Sequence, residues 1–170
     1  MNTNSVRFFK EETLDNLPGK GEINLAVWEM KNPSNMGKII RLGHNINAKK
    51  ILFVNKNPSF RKSKIKKTAG FSFEQANWKI VSPEEFYTAF EPGCKIITLE
   101  TCQGAVNIFK TKLPEKTVLL AGGESHGIPE NIIAKFNSAV FIPMPGDCKS
   151  MNVSHALSVA AFEWYRQQTL

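Results

Sequence analysis

Short apolar runs alternate along this chain with stretches of helical periodicity, and this alternation limits the fold more than any other feature. Ile23 to Trp28, Ile51 to Val54, Trp78 to Val81, Ile96 to Leu99, Val118 to Ala121 and Ala139 to Ile142 read as strands. Asn35 to Ile46 reads as a helix with Met36, Ile39, Ile40 and Gly43 on one side. Ser82-Pro83-Glu84-Glu85 signals another helix start, and a last helix runs from about Asn152 to Gln167. Strands separated by helices need crossover connections. The expected fold is therefore α/β, a mostly parallel sheet with helices on both faces.

A chain of 170 residues suits one domain. Residues 1–21 are polar, with a turn at Pro18-Gly19, and read as an N-terminal extension with room for one short helix. The domain proper is expected over 22–170, without repeats or an internal linker. No apolar run approaches the roughly 18 residues of a membrane span, and no apolar stretch follows the first positive charge, Arg7. Cys94, Cys102 and Cys148 have neither CxxC spacing nor an even count, so reduced thiols in a cytoplasmic protein are expected rather than disulfides or zinc.

The net charge of +7 and pI near 9.4 favour polyanionic partners. Arg61, Lys62, Lys64, Lys66 and Lys67 fall close together, with Lys49, Lys50 and Lys56 ahead of them. A solvated loop or helix face and an RNA-binding patch both fit that cluster.

Open α/β sheets bind ligands beyond the carboxyl ends of their strands, which directs attention to three loops. The first is Asn32-Pro33-Ser34-Asn35-Met36-Gly37-Lys38-Ile39-Ile40-Arg41. An asparagine cap and a surface arginine would explain parts of it, leaving Asn32, Gly37 and Arg41 unrelated. The second is Gly122-Gly123-Glu124-Ser125-His126-Gly127-Ile128-Pro129, where glycines after a strand let a ligand approach the backbone. It also holds the G-x-S-x-G pattern of serine hydrolases, with Asp147 and His155 downstream in triad order. Those two lie only eight residues apart, and no HGGG-like oxyanion loop is present. The third loop runs from Ile142-Pro143-Met144 to Ser150-Met151-Asn152-Val153-Ser154 and leads into the last helix, where free amides could hold a polar ligand.

Taken in order, these segments resemble the three signature motifs of the SpoU (TrmH-like) branch of the SPOUT RNA methyltransferases. The likeness covers roughly residues 22–167, and Lys66-Lys67-Thr68-Ala69-Gly70 resembles a substrate-facing family segment. Met151 stands where leucine is usual, and Gly122 precedes a glycine where the family often has asparagine. The resemblance implies a C-terminal trefoil knot, a homodimer, and AdoMet-dependent methylation of a ribose 2'-hydroxyl in RNA without a metal. By resemblance, Arg41 is the central catalytic residue, as base or as a positioning group for ribose and phosphate. Asn35, Glu124, Ser150 and Asn152 assist it. The resemblance implies that Leu99, Thr101, Gly122, Gly123, Ile142, Met144 and Met151 hold AdoMet, and the close spacing of Arg61, Lys62, Lys64, Lys66 and Lys67 makes them the expected RNA contacts. The compact chain favours tRNA over rRNA as substrate. The competing readings are a serine hydrolase built on Ser125 and a catalytically silent RNA-binding module. His44, His126 and His155 are given no role.

Overall fold

The computed structural model describes Ser5, Phe9 and residues 21–56 and 59–169, so the expected N-terminal extension lies largely outside the described residues. Seven strands form one sheet: β1 (Glu22–Trp28), β2 (Ile51–Val54), β3 (Trp78–Val81), β4 (Lys95–Leu99), β5 (Val106–Asn107), β6 (Lys116–Gly122) and β7 (Ala139–Phe141). Over residues 21–56 and 59–169 the helices are α1 (Pro33–Asn45), α2 (Lys62–Ala69), α3 (Ser72–Gln75), α4 (Pro83–Thr88), α5 (Glu130–Phe136) and α6 (Val153–Thr169). A single 3₁₀ turn at Ile108–Lys110 follows β5. The spatial order is β3-β2-β1-β6-β4-β7-β5, and each adjacent pair is parallel.

Strand alternation sends side chains to two cores, as expected for a sheet covered on both faces. Ile23, Leu25 and Val27 of β1 pack on one face with Met36, Ile39 and Ile40 of α1, Ile65 of α2, and Leu157 and Trp164 of α6. Ala26 and Trp28 turn to the other face, against Phe86 of α4 and Ile132 of α5. Helix α4 begins with a full capping box, Ser82 bonding the Glu85 amide and Glu85 returning the bond, which explains why its start is readable from sequence.

The structure departs from the expected elements at several points. Helix α1 starts two residues earlier than Asn35, because Asn32 caps it and Pro33 occupies its first turn. Strand β7 stops at Phe141, one residue short of Ile142. Strand β5 was not anticipated: at two residues it is too short to show periodicity, and pairing with β7 alone makes it a strand.

Candidate active site

The loops after β4, β6 and β7 leave the same carboxyl edge of the sheet and enclose a cavity of about 500 Å³. All seven residues expected to hold a cofactor, Leu99, Thr101, Gly122, Gly123, Ile142, Met144 and Met151, line it. Glu124, Ser150 and Asn152 line it as well. The two glycines answer to the chain itself. A Cβ on Gly122 would strike the Gly127 and Ile128 backbone, and one on Gly123 would strike the Glu29 carbonyl. Close chain packing, not only ligand approach, fixes glycine at these positions.

The first loop adds no wall but braces the cavity from behind. Asn35, in the first turn of α1, is buried and donates from Nδ2 to Glu124 Oε1 at 2.8 Å. Its Oδ1 accepts from Asn152 Nδ2 at 3.4 Å. Asn152 in turn caps α6, its Oδ1 accepting from the Ser154 amide at 2.9 Å and the Ser154 hydroxyl at 2.7 Å. Asn32 caps α1 by accepting from the Ser34 amide at 2.9 Å. The starts of α1 and α6 therefore converge beside the Glu124 carboxylate, whose charge suits both helix dipoles. Glu124 Oε2 also accepts from the Lys31 amide at 3.3 Å.

Arg41 stands apart from this network. It lies about 120° around α1 from Asn35, on the exposed side with Lys38 and Asn45. Among the described residues it makes no hydrogen bond or ion pair, so nothing joins it to Asn35. Ser150 is exposed in the mouth of the cavity, its carbonyl accepting from the Cys148 thiol at 3.5 Å.

Arg61 caps α2 without a side-chain bond, and Lys62, Lys64, Lys66 and Lys67 are exposed along that helix. Lys66 is engaged, bonding Glu74 at 2.9 Å. Gly37 binds α2 to α1, since a Cβ there would meet the Ile65 carbonyl and the Thr68 hydroxyl.

The serine-hydrolase alternative finds no constellation. Gly123 and Gly127 bridge antiparallel across Ser125, closing a tight turn instead of a strand-to-helix elbow. Ser125 Oγ accepts from Lys31 Nζ at 3.4 Å, and no hydrogen bond joins it to His155 or Asp147.

Two residues with a part in the site escaped sequence reasoning. Glu100, just past β4, accepts from the Ile128 amide at 3.1 Å and the Thr101 amide at 3.0 Å, latching two cavity loops together. Gly127 faces that carboxylate at φ 65°, where a side chain would be strained and would meet Glu100. Lys31 anchors the Glu124–Ser125 turn. The available signals were a carboxylate directly after a strand and a cation directly before the first motif.

The sequence profile of the SpoU rRNA methylase family matches residues 22–162. This chain belongs to the SpoU rRNA methylase family. Among SpoU relatives, a tRNA (cytidine(34)-2'-O)-methyltransferase of Methylovorus glucosotrophus (strain SIP3-4) is 27% identical over 146 residues, 85% of this chain and 94% of the relative. The mouse tRNA (guanosine(18)-2'-O)-methyltransferase TARBP1 is 35% identical over 78 residues, 46% of this chain but only 5% of the much longer mouse protein. A solved structure described as concerning the 2-OH methylation of C/U34 on tRNA superposes with a TM-score of 0.79 at 27% identity, covering 89% of this chain and 99% of that one. The SpoU fold is thus the fold of this protein. No helix among the described residues is long and apolar enough to cross a membrane.

Proposed function

We propose that this protein is an AdoMet-dependent methyltransferase that methylates a ribose 2'-hydroxyl in tRNA, acting as a cytoplasmic homodimer. The observation that carries the reading is the single cavity shared by the Gly122–Glu124 and Ile142–Asn152 loops, backed by the Asn35–Glu124–Asn152 hydrogen bonds. Its volume of about 500 Å³ suits a cofactor. Its lining suits AdoMet in particular. Leu99, Ile142, Met144 and Met151 offer apolar surface for a purine, and Thr101 and Ser150 add polar side chains for the ribose and amino-acid parts. When bound, AdoMet supplies an electrophilic methyl group on a sulfonium.

The chain's own residues then have distinct tasks. Glu124, held by Asn35 and the Lys31 amide, and Ser150 at the cavity mouth orient the ribose. Asn152 fixes the loop to the start of α6. Arg41 grips a phosphate with its planar fork and stands beside the hydroxyl that loses its proton. A free guanidinium is seldom a base, so a substrate phosphate takes the proton and Arg41 positions both groups. The exposed cations of α2 track the RNA backbone.

The choice of tRNA is supported by the bacterial relatives, which align over nearly their whole length and are tRNA cytidine-34 enzymes. The homodimer is supported by an apolar edge in which Val106, Phe109 and Phe162 are exposed near β5 and α6. Tritium transfer from labelled AdoMet to tRNA transcripts, followed by mass mapping of the modified ribose, tests the reading. A single 2'-O-methyl group in tRNA is expected. Transfer only to ribosomal RNA, or none, would overturn it.

A further inference from the structure

Phe71 is 73% exposed, the highest value of any large apolar side chain among the described residues. It follows Gly70, whose φ of 61° reverses the chain after α2 with open space where a Cβ would stand. The two phenyl groups of this segment part ways. Phe73 turns inward, 5.1 Å from the Trp78 ring, while Phe71 stays in water. The outward ring is nonetheless oriented. His44, in the last turn of α1, meets it in an edge contact with centroids 5.2 Å apart and planes at 63°. His44 is itself held by the Ser72 hydroxyl, 3.0 Å from Nδ1.

The surroundings decide what such a ring suits. Lys64 and Lys67 are exposed on α2, which ends at Ala69, two residues before Phe71, and Lys66 is in its last turn. Arg41 lies three residues before His44, a rise of about 4.5 Å along α1. Exposed lysines are depleted from the centres of protein interfaces. An aromatic face set among cations instead matches single-stranded nucleic acid, whose bases stack while its phosphates meet the charges.

We propose that Phe71 is a stacking platform for a nucleobase next to the ribose that Arg41 engages. The inference rests on the RNA methyltransferase reading above. It adds a base contact to a surface otherwise made of phosphate contacts, and so gives the enzyme a grip on an unpaired nucleotide.

The test compares Phe71→Ala, Phe71→Leu and Phe71→Trp in the full chain. Affinity for an end-labelled, unmodified tRNA transcript is read by fluorescence anisotropy across a salt series, beside sedimentation of each variant. Phe71→Ala and Phe71→Leu are expected to weaken binding about 5- to 150-fold, the range measured for lost base stacking. Phe71→Trp keeps wild-type affinity, and the salt slope stays unchanged because no charge has moved. Wild-type affinity in Phe71→Ala would overturn the proposal. So would full affinity in Phe71→Leu, which would make the contact merely apolar. A shift of Phe71→Ala to a smaller species would assign the ring to an interface between copies of the chain instead. Wild-type protein that binds the transcript without methylating it overturns the methyltransferase reading, and the variants' affinities still decide the stacking.

Discussion

Arg41 and Asn35 belong to one helix yet face different surroundings. Asn35 is enclosed and bonded to Glu124 and Asn152, while Arg41 is exposed with no partner among the described residues. An arginine left free on the exposed side of α1 is available to substrate. Lysine would keep its charge but lose the planar, two-point grip. Arg41→Ala and Arg41→Lys should therefore each lower turnover by about 10²-fold or more, the scale of lost positioning and proton-transfer help. Thermal stability should not move, since no intramolecular bond is lost. Tritium transfer assayed beside a melting curve checks both halves. Near wild-type turnover in Arg41→Ala would remove Arg41 from the mechanism.

Two helices carry predictions of their own. Helix α2 has no acidic residue in its first turn, where Arg61, Lys62 and Lys64 oppose the helix dipole. Their charge does nothing for the helix, which fits a role toward an external anion. Replacing Lys62, Lys64 and Lys67 with glutamine removes three cations that have no acidic partner among the described residues. RNA affinity should fall, and the slope of log affinity against log salt should become shallower by roughly 2 to 3. AdoMet affinity, read by calorimetry, should stay put. At the far end of α6, Glu163 is buried and receives Arg166 Nε and Nη2, each at 2.9 Å. Arg166 holds the Glu163 carboxyl below its ordinary range. A carboxylate lowered in the folded state contributes stability above its unfolded value, and that contribution is lost as pH falls through the folded one. Wild-type protein should thus lose stability below about pH 4.5. Glu163→Gln should be less stable at neutral pH and show a flatter acid limb in melting temperature. An unchanged acid limb would place the acid sensitivity elsewhere.

For the whole molecule, ligand binding and folding are linked. The cavity exists only when β4, β6 and β7 are assembled, so AdoMet has nothing to bind in the unfolded chain. At a hundred times its Kd, a ligand specific to the folded state adds about 2.7 kcal/mol. For a chain of this size that raises Tm by roughly 5–10 °C. A melting series with AdoMet, NAD and ATP should show the rise with AdoMet alone; no rise at millimolar AdoMet would argue against the cavity as its site.

Local pattern was enough for much of this architecture. β2 and β3 have the bounds read from sequence, because short runs rich in β-branched and aromatic residues end directly at Asn55 and at Ser82-Pro83. The capping box of α4 and the alternation of elements were legible for the same reason: each is fixed by residues within a few positions of one another. The signature loops were legible as chemistry, and the residues expected at the cofactor site do line one cavity. What sequence left open was decided across long separations. The bonds from Asn35 to Glu124 and to Asn152 span 89 and 117 residues, and only the placing of β6 beside β1 and of α6 against α1 brings them together. The same holds for β5, made a strand by its neighbour, and for Glu100, whose part is set by a loop 28 residues on. Spacing along a helix could place Arg41 near Asn35, but the direction each side chain faces depends on which side of α1 the core covers, and that is a property of the assembled sheet.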